Sequence, residues 1–182
     1  MKTPAATSGK RPVVVATVLA VVTVATLGLW VASAAADRPG SQEAARVIEV
    51  RDGNGDLLAS VPLRGERFAV RYRNSIYQTI AEERYTVLPG DGFRVVQIAA
   101  EQLAVIEEYY AVPNRARPAP AGERLGWLAD EPNDLPVHRR LSIAATDLGE
   151  RTLLVPGRPP LALWLLVERD PTVVLEIKEA TR

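Results

Sequence analysis

The sequence contains no cysteine. That one absence excludes disulfides, thiolate zinc sites, a cysteine nucleophile and a lipidated N-terminal cysteine together. Histidine is nearly absent as well, with His138 the single imidazole. Lysine is scarce: beyond the N-terminal segment only Lys178 stands beside 18 arginines, a bias that reads as nucleotide composition. Net charge is also missing. All 22 acidic residues follow residue 36 against 19 basic ones, a balance near −3 that gives no electrostatic case for nucleic acid.

What the chain does have is one long run without charge. Residues 12–36 carry no charged side chain, are rich in Val, Ala and Leu, and follow Lys2, Lys10 and Arg11. As a helix, such a run satisfies its own backbone and reaches across a bilayer core of about 30 Å at about 1.5 Å per residue. The basic residues before it argue for a cytoplasmic N-terminus. A cleaved secretory signal is the other reading, since Ala34, Ala35 and Ala36 match a small-residue cleavage pattern. An apolar core longer than the roughly 7–15 residues of a signal favours the retained anchor. The expected organisation is a basic cytoplasmic segment over 1–11, the anchor or uncleaved signal over 12–36, a polar spacer over 37–45 and an extracytoplasmic β-domain over 46–178.

The remainder is long enough for one domain with a real core. Its pattern is short alternating runs between turn residues: 47–51, 57–63, 68–76, 85–88, 93–98, 140–144, 152–155, 161–167 and 172–177 read as strands. Residues 99–110 are ambiguous, because Leu103, Ile106 and Tyr110 have helical spacing in a β neighbourhood. The segments 113–122 and 130–136 suit surface loops. The expected fold is mainly β, a small antiparallel β-sandwich or partly closed barrel.

Two motifs fail on inspection. Asp52-Gly53-Asn54-Gly55-Asp56 opens like a calcium loop, but Leu57 and Leu63 occupy the positions that require Gly and a bidentate carboxylate, so a hairpin turn is expected. His138 could serve a serine hydrolase with Ser75 or Ser142, yet no G-x-S-x-G elbow accompanies either serine. Its neighbours Arg139 and Arg140 suggest a solvated surface histidine. No metal, cofactor or catalytic residue is expected.

The region 68–87 is the most informative. Alternation puts Phe68, Val70, Tyr72, Asn74 and Ile76 on one face of a strand. The next strand would carry Ala81, Glu83, Tyr85 and Val87 on its apolar face and Glu82, Arg84 and Thr86 toward solvent. With Gln78 and Thr79 at the tip, Asn74 lies opposite Glu83. Tyr72, Asn74, Ser75, Thr79, Glu83 and Tyr85 thus form a candidate polar cluster. It is either a structural device whose groups satisfy one another, or a polar site in the mouth of a small barrel.

The same residues carry a resemblance. Residues 71–85 resemble the signature of a bacterial family known as domain of unknown function 1850: aromatic, any, His, Ser, aliphatic, two of any kind, Thr, Pro, aliphatic, any, Glu. Tyr72, Ser75, Ile76, Thr79 and Glu83 match it, while Asn74 replaces the His and Ile80 the Pro. The resemblance implies a hydrophobic N-terminus before one small domain, and a gene often placed beside permeases of tripartite ATP-independent periplasmic transporters of organic anions. It also implies an accessory role there. Asn74 can donate and accept hydrogen bonds but cannot exchange a proton near neutral pH, so chemistry that needs an imidazole at that position is not implied. The expected function is therefore a membrane-anchored extracytoplasmic accessory or binding module, with the cell membrane and a transporter permease as partners. A hydrolase-like enzyme built on the polar cluster around Glu83 is the alternative.

Overall fold

The computed structural model describes residues 46–111, 115–130, 135–168 and 170–180. The expected anchor, spacer and basic segment lie outside the described residues. Among those described, no helix is long and apolar enough to cross a membrane.

Eleven strands form two antiparallel sheets, and neither closes into a barrel. The smaller sheet has the order β2-β1-β11-β8, from β1 (Arg46–Asp52), β2 (Leu57–Leu63), β8 (Arg140–Ala144) and β11 (Thr172–Glu179). The larger has the order β10-β9-β3-β4-β5-β7-β6. It comprises β3 (Arg67–Arg73), β4 (Ile80–Val87), β5 (Phe93–Ala100), β6 (Arg117–Pro118), β7 (Trp127–Asp130), β9 (Thr152–Leu154) and β10 (Leu161–Ala162).

Period-two patterning builds the core. Ile48 and Val50 of β1, Val173, Leu175 and Ile177 of β11 and Ile143 of β8 meet Phe68, Val70, Tyr85, Val87 and Phe93 of the larger sheet in one buried cluster. Phe68 stacks on Tyr85 with ring centroids 4.8 Å apart, and Phe93 meets both edge-on at 5.3 and 5.8 Å. A second cluster continues along the same inner face through Tyr72, Ala81, Ile98 and Ala100, where a single π-helical turn, Val105–Tyr109, replaces the smaller sheet as cover. Residues 99–110 therefore resolve as strand to Ala100 followed by this turn.

Turn chemistry fixes the hairpins. Asp52 Oδ1 accepts the amide N–H groups of Asn54 and Asp56, and Gly55 sits at φ +95°, so the candidate cation loop is an ordinary β1–β2 connection. The amide of Asp56, more than any other neighbour, holds the Asp52 carboxyl below its usual range.

Two strand expectations need correction. The run 161–167 is strand only at Leu161–Ala162. It then coils into a 3₁₀ turn, Leu163–Leu165, after the Leu163 N–H bonds the Arg151 carbonyl. In addition, β6 and β7 arise from segments that carry no alternation long enough to read.

One corner ties the sheets together. His138 pairs with Phe93 through two backbone hydrogen bonds of 2.8 and 2.7 Å, and the chain passes from there directly into β8 of the smaller sheet.

Candidate functional site

On β4, Glu83 and Tyr85 share the inner face, as alternation requires, and β3 delivers Val70 opposite Glu83 and Tyr72 opposite Ala81. The predicted pairing of Asn74 with Glu83 is wrong by four residues. Asn74 never joins the ladder: its Oδ1 accepts the amides of Ile76 and Tyr77, and its own amide bonds the Thr79 carbonyl. This side-chain-built turn over 74–79 removes residues from the hairpin that a tight tip would have kept in it. An even shift keeps Glu83 on the same face, so the strand was assigned correctly and its partner was not.

The structure joins three members of the predicted cluster and adds one. Tyr85 donates its hydroxyl to Glu83 Oε2 at 2.5 Å. Tyr110, at the end of the π-helical turn, donates to Glu83 Oε1 at 2.7 Å, and Tyr72 donates to the Tyr110 hydroxyl at 2.6 Å. The two bonds that end on Glu83 have the lengths of charge-assisted O–H···O⁻ bonds. Burial pushes all three phenols above the ordinary tyrosine range, and the Glu83 charge adds to it, so they remain protonated donors. The Arg151 guanidinium lies 4.6 Å from the Tyr72 ring centroid, a cation–π contact. Ser75 is exposed, Asn74 is buried within its turn, and Thr79 is half-buried; none of the three is bonded to Glu83.

Glu83 also borders open space. A cavity of about 370 Å³ is lined by Glu83, Tyr85, Val95, Ile98, Tyr110, Leu135, His138 and Leu141. His138 is thus not the solvated surface residue its basic neighbours suggested. It is partly buried, its backbone is paired with Phe93, and its ring lies 6.0 Å from the Phe93 ring. Tyr110 had a prior signal in its helical spacing, and His138 in being the single imidazole, but nothing local placed either beside Glu83.

The opposite face of β4 holds the largest departure from expectation. Glu82, expected in solvent, is 3% exposed. The segment 119–126, between β6 and β7, lies on the outer face of the larger sheet and packs Leu125 against Ala99, the β5 partner of Glu82, and against Leu128, the β7 partner of Ala99. The carboxylate accepts from Arg71 Nε at 3.0 Å, from Arg84 at 3.3 Å and from Arg124. Arg84 also grips Glu123 at 2.9 Å, which lowers the Glu123 carboxyl to about 2. The stability that Glu123 contributes is therefore present above its ordinary value and lost as pH falls toward about 2. A larger hollow of about 520 Å³ lies on this face beside Arg67, Arg84 and Asp130. Arg84 is occupied by Glu82 and Glu123, and Asp130 by Arg117, which leaves Arg67 as the charged side chain of this wall without a partner among the described residues.

The tyrosine network yields a direct expectation. Tyr110→Phe removes one donor from Glu83 and the acceptor of Tyr72, and should cost about 2 kcal/mol in urea unfolding. Ser75→Ala should stay within about 0.5 kcal/mol, because the side chain is exposed. Equal small losses at both positions would show that the phenols are solvated.

No protein-family model, no curated protein and no solved structure matches this chain, and its site is read from its own residues.

Proposed function

We propose that this protein is a membrane-anchored extracytoplasmic binding module, accessory to a transporter, with the cavity beside Glu83 as its binding site. The observation that carries the binding reading is a carboxylate with two phenol donors at the wall of an otherwise apolar, partly open cavity. The uncharged run over 12–36 behind three basic residues supports the anchor and its orientation. The transporter association rests on the resemblance of residues 71–85, which implies neighbouring permeases for organic anions. A cavity walled by a carboxylate repels such an anion, so the accessory role is one performed without holding the transported cargo here.

A second reading, a hydrolase-like enzyme, is favoured by one observation: His138 and Glu83 line the same cavity, and an imidazole with a carboxylate is a common acid–base pair. Against it, the hydroxyls lining the cavity are those of Tyr85 and Tyr110, both committed to Glu83. No uncommitted hydroxyl stands among the described residues that line the cavity.

Topology is tested first. A reporter that works only after export, fused after Arg182, should be active, and alkaline carbonate should leave the protein with the membrane. An inactive reporter overturns the topology, and release of a fragment starting at Asp37 overturns the anchor. Turnover of simple esters that disappears in both Glu83→Gln and His138→Gln would replace the binding reading with the enzymatic one.

A further inference from the structure

The geometry points to a small organic cation, an ammonium group on an apolar body, as the ligand of the cavity beside Glu83. This rests on the reading of that cavity as a binding site and adds the chemistry of what enters it.

An ionised carboxylate accepts only, with about four lone-pair sites, and Glu83 uses one on each oxygen for Tyr85 and Tyr110. Both phenolic protons are therefore directed at Glu83, and the Tyr72 proton is directed at Tyr110. The polar wall consequently presents spare acceptors and no spare phenolic donor. The one other polar side chain on the wall, His138, offers at most a single N–H while neutral.

Charge leads to the same conclusion. Among the described residues no arginine or lysine bonds Glu83, whereas Glu82, the next residue, is held by three arginines. Arg151, a cation that touches the network, is stacked on the far tyrosine, Tyr72. Glu83 is thus hydrogen-bonded by neutral donors without a paired cation among the described residues, and a cation entering the cavity would supply the counter-charge that the fold does not. Val95, Ile98 and Leu141 provide apolar walls for a hydrocarbon body. At about 370 Å³ the cavity sits near the small end of the roughly 300–1,000 Å³ typical of ligand pockets, which limits the body to a single ring or short chain.

Benzylammonium, benzyl alcohol and benzoate share a shape and differ in charge, and they make the test. Titrated calorimetrically into the full chain in detergent near neutral pH, benzylammonium should bind about tenfold or more tighter than either analogue. Glu83→Gln should remove that preference. Leu141→Trp, which fills the cavity and leaves both phenol bonds intact, should abolish binding and serves if the Gln variant does not fold. Benzyl alcohol or benzoate binding as tightly as benzylammonium in the unaltered chain, with loss in Leu141→Trp, overturns the cation and leaves the cavity as a binding site. Binding of none of the three, or binding indifferent to Leu141→Trp, overturns the cation and the cavity reading together.

Discussion

Glu82→Ala should destabilise the protein by about 3 kcal/mol, seen as a fall of roughly 10 °C in melting temperature. Removing one partner of a buried ion pair costs about 3–5 kcal/mol because the other charge is stranded. Here the discount is set by exposure: Arg124 is 56% exposed and regains water freely, but Arg71 and Arg84 are only 28% and 24% exposed. Arg84 keeps Glu123, so the Arg71 guanidinium is the one that stays largely desolvated against a missing carboxylate. Glu82→Gln keeps the shape and loses the charge, and should fall between wild type and Ala. Glu83→Ala should cost about 2 kcal/mol, the price of two phenols without an acceptor. The order of the two neighbouring glutamates is thus the reverse of what alternation alone predicts. A loss below about 0.5 kcal/mol for Glu82→Ala would mean that residues 119–126 do not cover this face.

Phe93→Ala should cost more, about 4 kcal/mol in urea unfolding. The ring is fully buried and touches Phe68 and Tyr85 edge-on, so truncation leaves a void bounded by two aromatic faces that cannot collapse around it. Phe93→Leu refills most of the space and should cost about 1.5 kcal/mol. The Ala variant has a second expected consequence. The His138 ring loses its aromatic neighbour while its backbone stays paired with residue 93, so the imidazole signal should sharpen and shift in NMR spectra even where the protein remains folded. An unmoved His138 signal would show that the ring is held by other contacts.

These two residues also show what the sequence made legible. Alternation in Phe68, Val70, Tyr72, Glu83 and Tyr85 gave the inner face of β3 and β4 correctly, because a two-residue period is a local property of the backbone. The polar character of the site was legible for the same reason: Glu83 and Tyr85 are two residues apart on one strand. What completes each cluster was not local. Tyr110 reaches Glu83 from 27 residues away, and Arg124 reaches Glu82 from 42. Glu82 looked solvent-facing because alternation names a face without saying what lies on it. The cover, Arg124 and Leu125, comes from just after the loop read over 113–122, where the sequence pattern suggested no element. Asn74 misled for a related reason: its side chain was counted as a strand position while it was building the turn that ends the strand.

The pairing of β1 with β11 has a consequence in time. Ile48 opposes Ile177 and Val50 opposes Leu175, so the first described strand finds its central partner only in the last. While the ribosome is still working, β1 can form a hairpin with β2, but a lone two-stranded hairpin is marginal in water and its apolar face has no lid. β8 likewise waits for β11, which joins it to β1. The smaller sheet, and with it half of the core wall, must therefore assemble only once β11 has been made, through contacts of long sequence separation that form slowly. The consecutive strands β3, β4 and β5 face no such wait, so the two walls of one core are made on different clocks.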